Sequence, residues 1–207
     1  MGAESDSTDI RICLIGNSLV NGVGDPEYLG WTGRICADAR RKGHYVTHYN
    51  LGVRGHTSAD IALRWRDGVG RWLYPPNSTI EPRIVFSFGT NYTLVIGGQW
   101  RVSLEQSVGN ISRIVSEAST LCPVLMVGPS PISDETRQDE IKAMSDAFAS
   151  ICESEGVAFL DVFDQLLASE AWMGEIVAGD GAHPGANGYN ALARIVHEWS
   201  GWFSWFD

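Results

Sequence analysis

The stretch Ile10-Arg11-Ile12-Cys13-Leu14-Ile15-Gly16-Asn17-Ser18 decides the fold. Its first six residues form a nearly continuous apolar run, β-branched at Ile10, Ile12 and Ile15, as a strand buried on both faces requires. A glycine closes the run and a serine follows at once. Working outward, the same device returns at Tyr45 to Leu51 (closed by Gly52), Ile84 to Phe88 (Gly89), Val124 to Val127 (Gly128) and Val157 to Val162. Helix-period stretches alternate with these runs. The first covers Leu29 to Lys42 and stops at Gly43. Thr57-Ser58-Ala59-Asp60 resembles a capping box opening a second helix. Ser103 and Gln106 make another, ahead of Leu104, Val108, Ile111 and Val115 on one face. Ile141, Met144, Phe148 and Ile151 mark a fourth, and Tyr189, Leu192, Val196 and Trp199 a last. Strand and helix in alternation predict an α/β protein: a five-stranded parallel sheet in a three-layer α/β/α, flavodoxin-like arrangement. Open sheets of this kind gather ligands at the carboxyl ends of their strands, which points to the loops at Gly16, Gly52, Gly89 and Gly128.

Composition bounds the function. Of 207 residues, 44% are hydrophobic and 19% charged, enough for one domain over residues 10–207 behind a flexible, acidic tail at 1–9. A net charge of −10 argues against nucleic acid or an anionic membrane surface as partner, because phosphate binding requires concentrated Lys and Arg. No stretch is long enough to span a bilayer, and the first ten residues carry no apolar signal segment. Cys13, Cys36, Cys122 and Cys152 lack C-x-x-C spacing and read as free thiols, so a cytoplasmic address is expected. His44 and His48 share a strand face without a third ligand at suitable spacing, and no metal site is expected. Gly22-Val23-Gly24-Asp25-Pro26 fails the dinucleotide fingerprint.

Four loops offer residues of the kinds that acyl transfer needs. Ser18 stands just past the first strand. Its hydroxyl becomes a competent nucleophile only when a base takes its proton. His183, in Asp180-Gly181-Ala182-His183-Pro184, supplies that base, and Asp180, three residues away, can hold the second ring nitrogen. The backbone N–H groups of Ser18 and Gly52 and the side-chain amide of Asn91 are candidates for the oxyanion hole. Asn17, Arg54, His56 and Tyr92 flank these positions and are candidates to line the substrate. Trp31, Trp100 and Pro129-Ser130-Pro131-Ile132 are further candidates for the pocket walls. The elbow G-x-S-x-G is absent, since Leu19 and Val20 follow the serine, which argues against an α/β-hydrolase fold.

With these residues in this order, the chain resembles the SGNH hydrolases, also called GDSL-type lipases and esterases. The four residues that name that family fall on Ser18, Gly52, Asn91 and His183, and its triad aspartate on Asp180. The resemblance implies a flavodoxin-like fold, no metal or cofactor, and hydrolysis of a small-molecule ester: acyl or acetyl esters, thioesters or lysophospholipids. A carbohydrate O-acetylesterase and a catalytically silent binding domain are the competing expectations. Two positions depart from the family pattern. Asn17 replaces the usual Asp before the serine, and Tyr92 the Asp that often follows the oxyanion Asn, where it is expected to support its loop. At the carboxyl end, Trp199, Trp202, Phe203 and Phe206 repeat as one helix face. They are expected to dock on the domain's own core, with a homo-oligomer contact as the alternative.

Overall fold

The structure is a computed structural model that describes residues 9–72, 80–93, 95–96 and 99–206. The expected tail therefore lies outside the described residues except for Asp9, which opens the first strand. In chain order the elements are β1 (Asp9–Gly16), α1 (Ser18–Asn21), α2 (Gly30–Arg41), β2 (Val46–Gly52), α3 (Ser58–Trp72), β3 (Ile80–Ser87), β4 (Val95–Ile96), β5 (Gln99–Trp100), α4 (Leu104–Ser119), β6 (Val124–Val127), α5 (Gln138–Ser154), β7 (Ala158–Leu160), α6 (Phe163–Leu167), α7 (Glu170–Ala178), α8 (Ala186–His197) and α9 (Ser200–Phe203).

Five strands form one parallel sheet in the order β2-β1-β3-β6-β7, and β4 and β5 make a separate antiparallel pair. Chain order reverses at β1, so the loop leaving Gly16 emerges at the crevice where such sheets bind ligands. The two-residue strand period sorts the core. Ile10, Ile12 and Leu14 of β1, Val85 of β3 and Leu125 and Val127 of β6 join the buried cluster that includes Trp31, Trp172, Tyr189 and Trp202. Their alternates Cys13, Ile15, Ile84, Phe86, Val124 and Met126 join the other, with Ile61, Trp65, Ile111, Ile114 and Phe148 of α3, α4 and α5. Two cores on opposite faces of one sheet are the expected three layers.

Strand limits differ from the sequence reading where side chains intervene. β3 begins four residues early, at Ile80. Pro82 is tolerated there because only β1 pairs with that segment, β6 being matched to Ile84 through Ser87. β7 ends early because the Asp161 carboxylate accepts from Phe163 N–H (3.0 Å) and Ser145 Oγ (3.1 Å), turning the chain into α6. The capping box at Ser103 and Gln106 forms with both reciprocal bonds. The aromatic tail is not one helix: Trp199 is extended, at φ −82° and ψ 128°, and caps α9. Trp202 is nonetheless buried in the core, with Trp199, Trp205 and Phe206 packed against it, and Phe203 faces out. Among the described residues no helix is long and apolar enough to cross a membrane.

Candidate active site

Asn17 caps α1: its Oδ1 accepts from Leu19 N–H at 3.0 Å, and the residue is 2% exposed. An amide oxygen serves this cap as well as a carboxylate does. The substitution thus preserves the turn that presents Ser18, but Asn17 does not line the substrate space. The Ser18 N–H occupies the first position of α1, where no helical acceptor precedes it.

The Asp180–His183 turn lies between α7 and α8. Asp180 Oδ1 accepts from the backbone N–H of Ala182 (3.1 Å) and of His183 (2.9 Å), which fixes the turn. Its Oδ2 lies 2.7 Å from His183 Nδ1, and His183 Nε2 lies 2.7 Å from Ser18 Oγ. Burial pushes the Asp180 carboxyl up. The hydrogen bonds from the His183 ring, from the backbone of His183 and of Ala182, and the His183 charge outweigh that and hold it at about 2. The carboxylate is therefore ionised and able to stabilise an imidazolium. Glu175 of α7 accepts from the N–H groups of Asn187 and Gly188 at the start of α8, tying together the two helices that carry this turn.

The predicted oxyanion donors are corrected in one case. Gly52 donates its only amide hydrogen to Asn50 Oδ1 at 3.0 Å, and Asn50 is itself held by the Val20 carbonyl at 2.8 Å. Gly52 matters for space instead: a Cβ there would stand 2.2 Å from Asn21 N and 2.8 Å from the Asn17 carbonyl oxygen. The glycine that sequence reading missed is Gly55. It occupies the third position of the Val53–His56 turn at φ +77°, and its N–H has no acceptor among the described residues. The signal was present in Asn50-Leu51-Gly52-Val53-Arg54-Gly55, but spacing does not say which of two glycines keeps its N–H free of an internal acceptor. Asn91 donates one amide hydrogen to the His56 carbonyl at 3.0 Å, leaving its second for a ligand and tying its loop to the residue after Gly55.

The remaining candidates divide. Arg54 lines the cleft, its Nη2 standing 3.7 Å from Asp180 Oδ2. His56 is partly buried, and its Nδ1 accepts from Arg64 Nε at 2.9 Å. Tyr92 is corrected: at 2% exposure its ring belongs to the core, and its hydroxyl donates to the Glu140 carbonyl at 2.8 Å. Trp31 is likewise a core residue, wholly buried. The Pro129–Ile132 loop is buried too, its carbonyls holding Thr90 Oγ1 and Trp172 Nε1. The Trp100 side chain lies outside the described residues. The cleft itself measures about 560 Å³ and is walled by Val23, Gly24, Arg54, Glu175, Ala178, Gly179 and Gly185 beside Asp180 and His183.

Known proteins share this architecture. A lipase/acylhydrolase from Enterococcus faecalis superposes with a TM-score of 0.71 at 19% identity, over 90% of this chain and 93% of that one. An acetylxylan esterase from Geobacillus stearothermophilus gives 0.72 at 18% identity, over 93% and 94%. A member of the lipolytic G-D-S-L family from Veillonella parvula DSM 2008 gives 0.73 at 18%, over 92% and 98%. These likenesses establish the fold. No curated protein matches the sequence. The pattern of the GDSL-like Lipase/Acylhydrolase family, however, matches residues 14–191, which take in the end of β1, the Ser18 turn, the Asn91 loop and the Asp180–His183 turn. The chain belongs to the GDSL-like lipase/acylhydrolase family.

Proposed function

We propose that the protein is a serine esterase that cleaves short-chain acyl esters through an acyl-enzyme on Ser18. The observation that carries this reading is the unbroken pair of 2.7 Å contacts from Ser18 Oγ through the His183 ring to Asp180. Ser18 Oγ attacks the ester carbonyl while His183 Nε2 takes its proton, and Asp180 holds Nδ1–H and stabilises the imidazolium. The tetrahedral oxyanion is received by the Ser18 and Gly55 N–H groups and the free amide hydrogen of Asn91. His183 then protonates the departing alcohol. In the second half-reaction it activates water, which releases the acid and restores the serine.

The walls of the cleft support a short acyl group and a polar alcohol. Gly24, Ala178, Gly179 and Gly185 leave room for a small group, Val23 is the one larger aliphatic side chain among the lining residues, and Arg54 and Glu175 add charge beside Asp180 and His183. The same walls favour a second reading, a carbohydrate O-acetylesterase. The acetylxylan esterase among the structural neighbours adds to it, although at 18% identity it carries no substrate assignment. Turnover of p-nitrophenyl acetate, butyrate and octanoate by the wild type and Ser18→Ala, with fluorophosphonate labelling of Ser18, tests the first reading. Falling rates with chain length and loss of label in Ser18→Ala are expected, and label uptake elsewhere overturns it. Acetate release from acetylated xylo-oligosaccharides decides the second.

A further inference from the structure

Arg64 of α3 makes a set of contacts that the catalytic scheme does not use. Its Nη2 donates to the Gly16 carbonyl at 3.0 Å and to the Leu51 carbonyl at 2.9 Å, and its Nε donates to His56 Nδ1 at 2.9 Å. Gly16 and Gly52 are register partners on β1 and β2. One guanidinium thus bridges the last carbonyl of β1 and the next-to-last of β2, where the two strands part. One strand leads into Asn17 and Ser18, the other into the Val53–His56 turn. Among the described residues no carboxylate lies within ion-pair distance of Arg64. Asp60, the carboxylate that acts on it through space, is spent on Thr57 (2.8 Å) and Arg101 (3.1 Å). A half-buried guanidinium without a paired carboxylate pays for its desolvation through the carbonyls and the ring it holds.

We infer that Arg64 is a positioning residue that locks the nucleophile turn to the oxyanion turn and keeps the His56 ring proton on Nε2.

The tautomer follows from hydrogen-bond accounting. A guanidinium only donates, so Nδ1, facing it, must present its lone pair, and the ring proton sits on Nε2. Burial, then the Arg64 charge and that of Arg101, lower the His56 pKa below its ordinary 6.5 against the opposing pull of Asp60. The His56 carbonyl in turn accepts from Asn91, so the ring that Arg64 grips belongs to the residue that aims an oxyanion donor. Arg101 closes the other side of the turn through a hydrogen bond to the Gly55 carbonyl. The chain Arg64–His56–Asn91 therefore fixes a side-chain amide from a strand end on the far side of the loop. Misplacement of such a donor by about 1 Å is enough to cost on the order of 100-fold in turnover.

The catalytic consequence rests on the esterase reading, but the tautomer does not, so the two can fail separately. Arg64→Lys keeps the charge without the fork, and Arg64→Met removes both. Each is compared with the wild type in three ways: kcat and KM for p-nitrophenyl acetate, thermal midpoint, and the imidazole 15N shifts of His56 in histidine-labelled protein. The wild type is expected to show His56 protonated on Nε2 alone at pH 7. Arg64→Lys is expected to lose about 10- to 100-fold in kcat with KM changed less than about threefold, and to show mixed His56 tautomers while remaining folded. Arg64→Met should do the same or worse, and if it fails to fold, the lysine variant decides. A wild-type His56 carrying its proton on Nδ1, or a kcat in Arg64→Lys equal to wild type, overturns the inference. So does a loss of kcat explained wholly by the unfolded fraction. A wild type that does not hydrolyse the ester strikes the esterase reading instead, and the nitrogen shifts then decide the Arg64 arrangement alone.

Discussion

His183 Nε2 and Ser18 Oγ stand 2.7 Å apart although 165 positions separate the two residues in the chain. That contact is made by the fold, whereas the Asp180–His183 contact is made by a turn of four residues. Ser18→Ala is expected to lower kcat by at least about 10⁴-fold. Asp180→Asn, which keeps the shape and loses the charge, should cost about 10³- to 10⁴-fold. Both are read by steady-state hydrolysis of p-nitrophenyl acetate, with circular dichroism to show that the variants are folded.

The two glycines of the second loop predict opposite failures. At Gly52 a methyl group collides with α1 backbone, so Gly52→Ala should lose stability steeply, by several °C in thermal midpoint. At Gly55 the added Cβ meets nothing nearer than Arg101 Nη1 at 3.9 Å. The penalty there is the left-handed backbone, about 1–2 kcal/mol, paid partly by rotation of the peptide that carries the oxyanion donor. Gly55→Ala should therefore stay folded while kcat falls about 10- to 100-fold. A Gly55→Ala enzyme with wild-type kcat removes that residue from the oxyanion hole.

The loop after α1 is clasped by Asp25, whose carboxylate accepts from Glu27, Leu29 and Gly30 N–H groups and from Arg34. The Asp25 side chain is fully buried and that of Arg34 9% exposed. Asp25→Ala leaves Arg34 with the exposed Glu27 as its one carboxylate and opens three backbone N–H groups, and should destabilise the protein by about 3–5 kcal/mol. The clasp also holds Tyr28 at φ +58° with 90% of its surface in solvent. Tyr28→Gly relieves that strain, and chemical denaturation should show a gain of about 0.5–1 kcal/mol.

Acid should weaken the fold in two stages. A group whose folded pKa lies below its unfolded value stabilises above the unfolded value, and that stability is lost as the pH falls through the folded one. His56, lowered by burial and then by Arg64, gives a shallow first loss below its ordinary value of 6.5. The carboxylates give the second. Asp25 is lowered because bonds from Arg34 and from backbone N–H groups overcome burial, and Asp180 is held at about 2. Their contribution is present above 3.8 and drains away toward pH 2. Thermal midpoints from pH 8 to pH 2 should show both limbs, with Asp25→Asn flattening the lower one.

The thiols should be silent. Burial pushes Cys13, Cys36 and Cys152 up to about 12, and Cys122 to about 11, against the ordinary 9.0. Iodoacetamide at pH 8 is expected to modify at most the partly exposed Cys122 in the native protein, and all four in denaturant.

Much of this was legible in the sequence because it is local. An apolar run closed by glycine names β1, and an Asp and a His three apart in a turn find each other without help from the fold. What escaped the reading depends on side chains arriving from elsewhere. Gly52 looked like the oxyanion glycine until Asn50, anchored by the Val20 carbonyl, took its hydrogen. Tyr92 looked like a cleft residue because its partner, the Glu140 carbonyl, is 48 positions away on α5. Pro82 masked the first half of β3, since no local rule shows that β6 is too short to pair there.

Asp180 and His183 ride on a single turn that Glu175 pins to α8, so the pair moves as one piece. A slide of that piece against the sheet would keep the aspartate-to-imidazole alignment and change the gap to the serine, together with the Ser133 N–H to Gly181 carbonyl bond (2.8 Å) and the Arg54–Asp180 contact (3.7 Å). On the esterase reading, substitutions in α7 and α8 are therefore expected to grade turnover without Ser18, Asp180 or His183 being replaced.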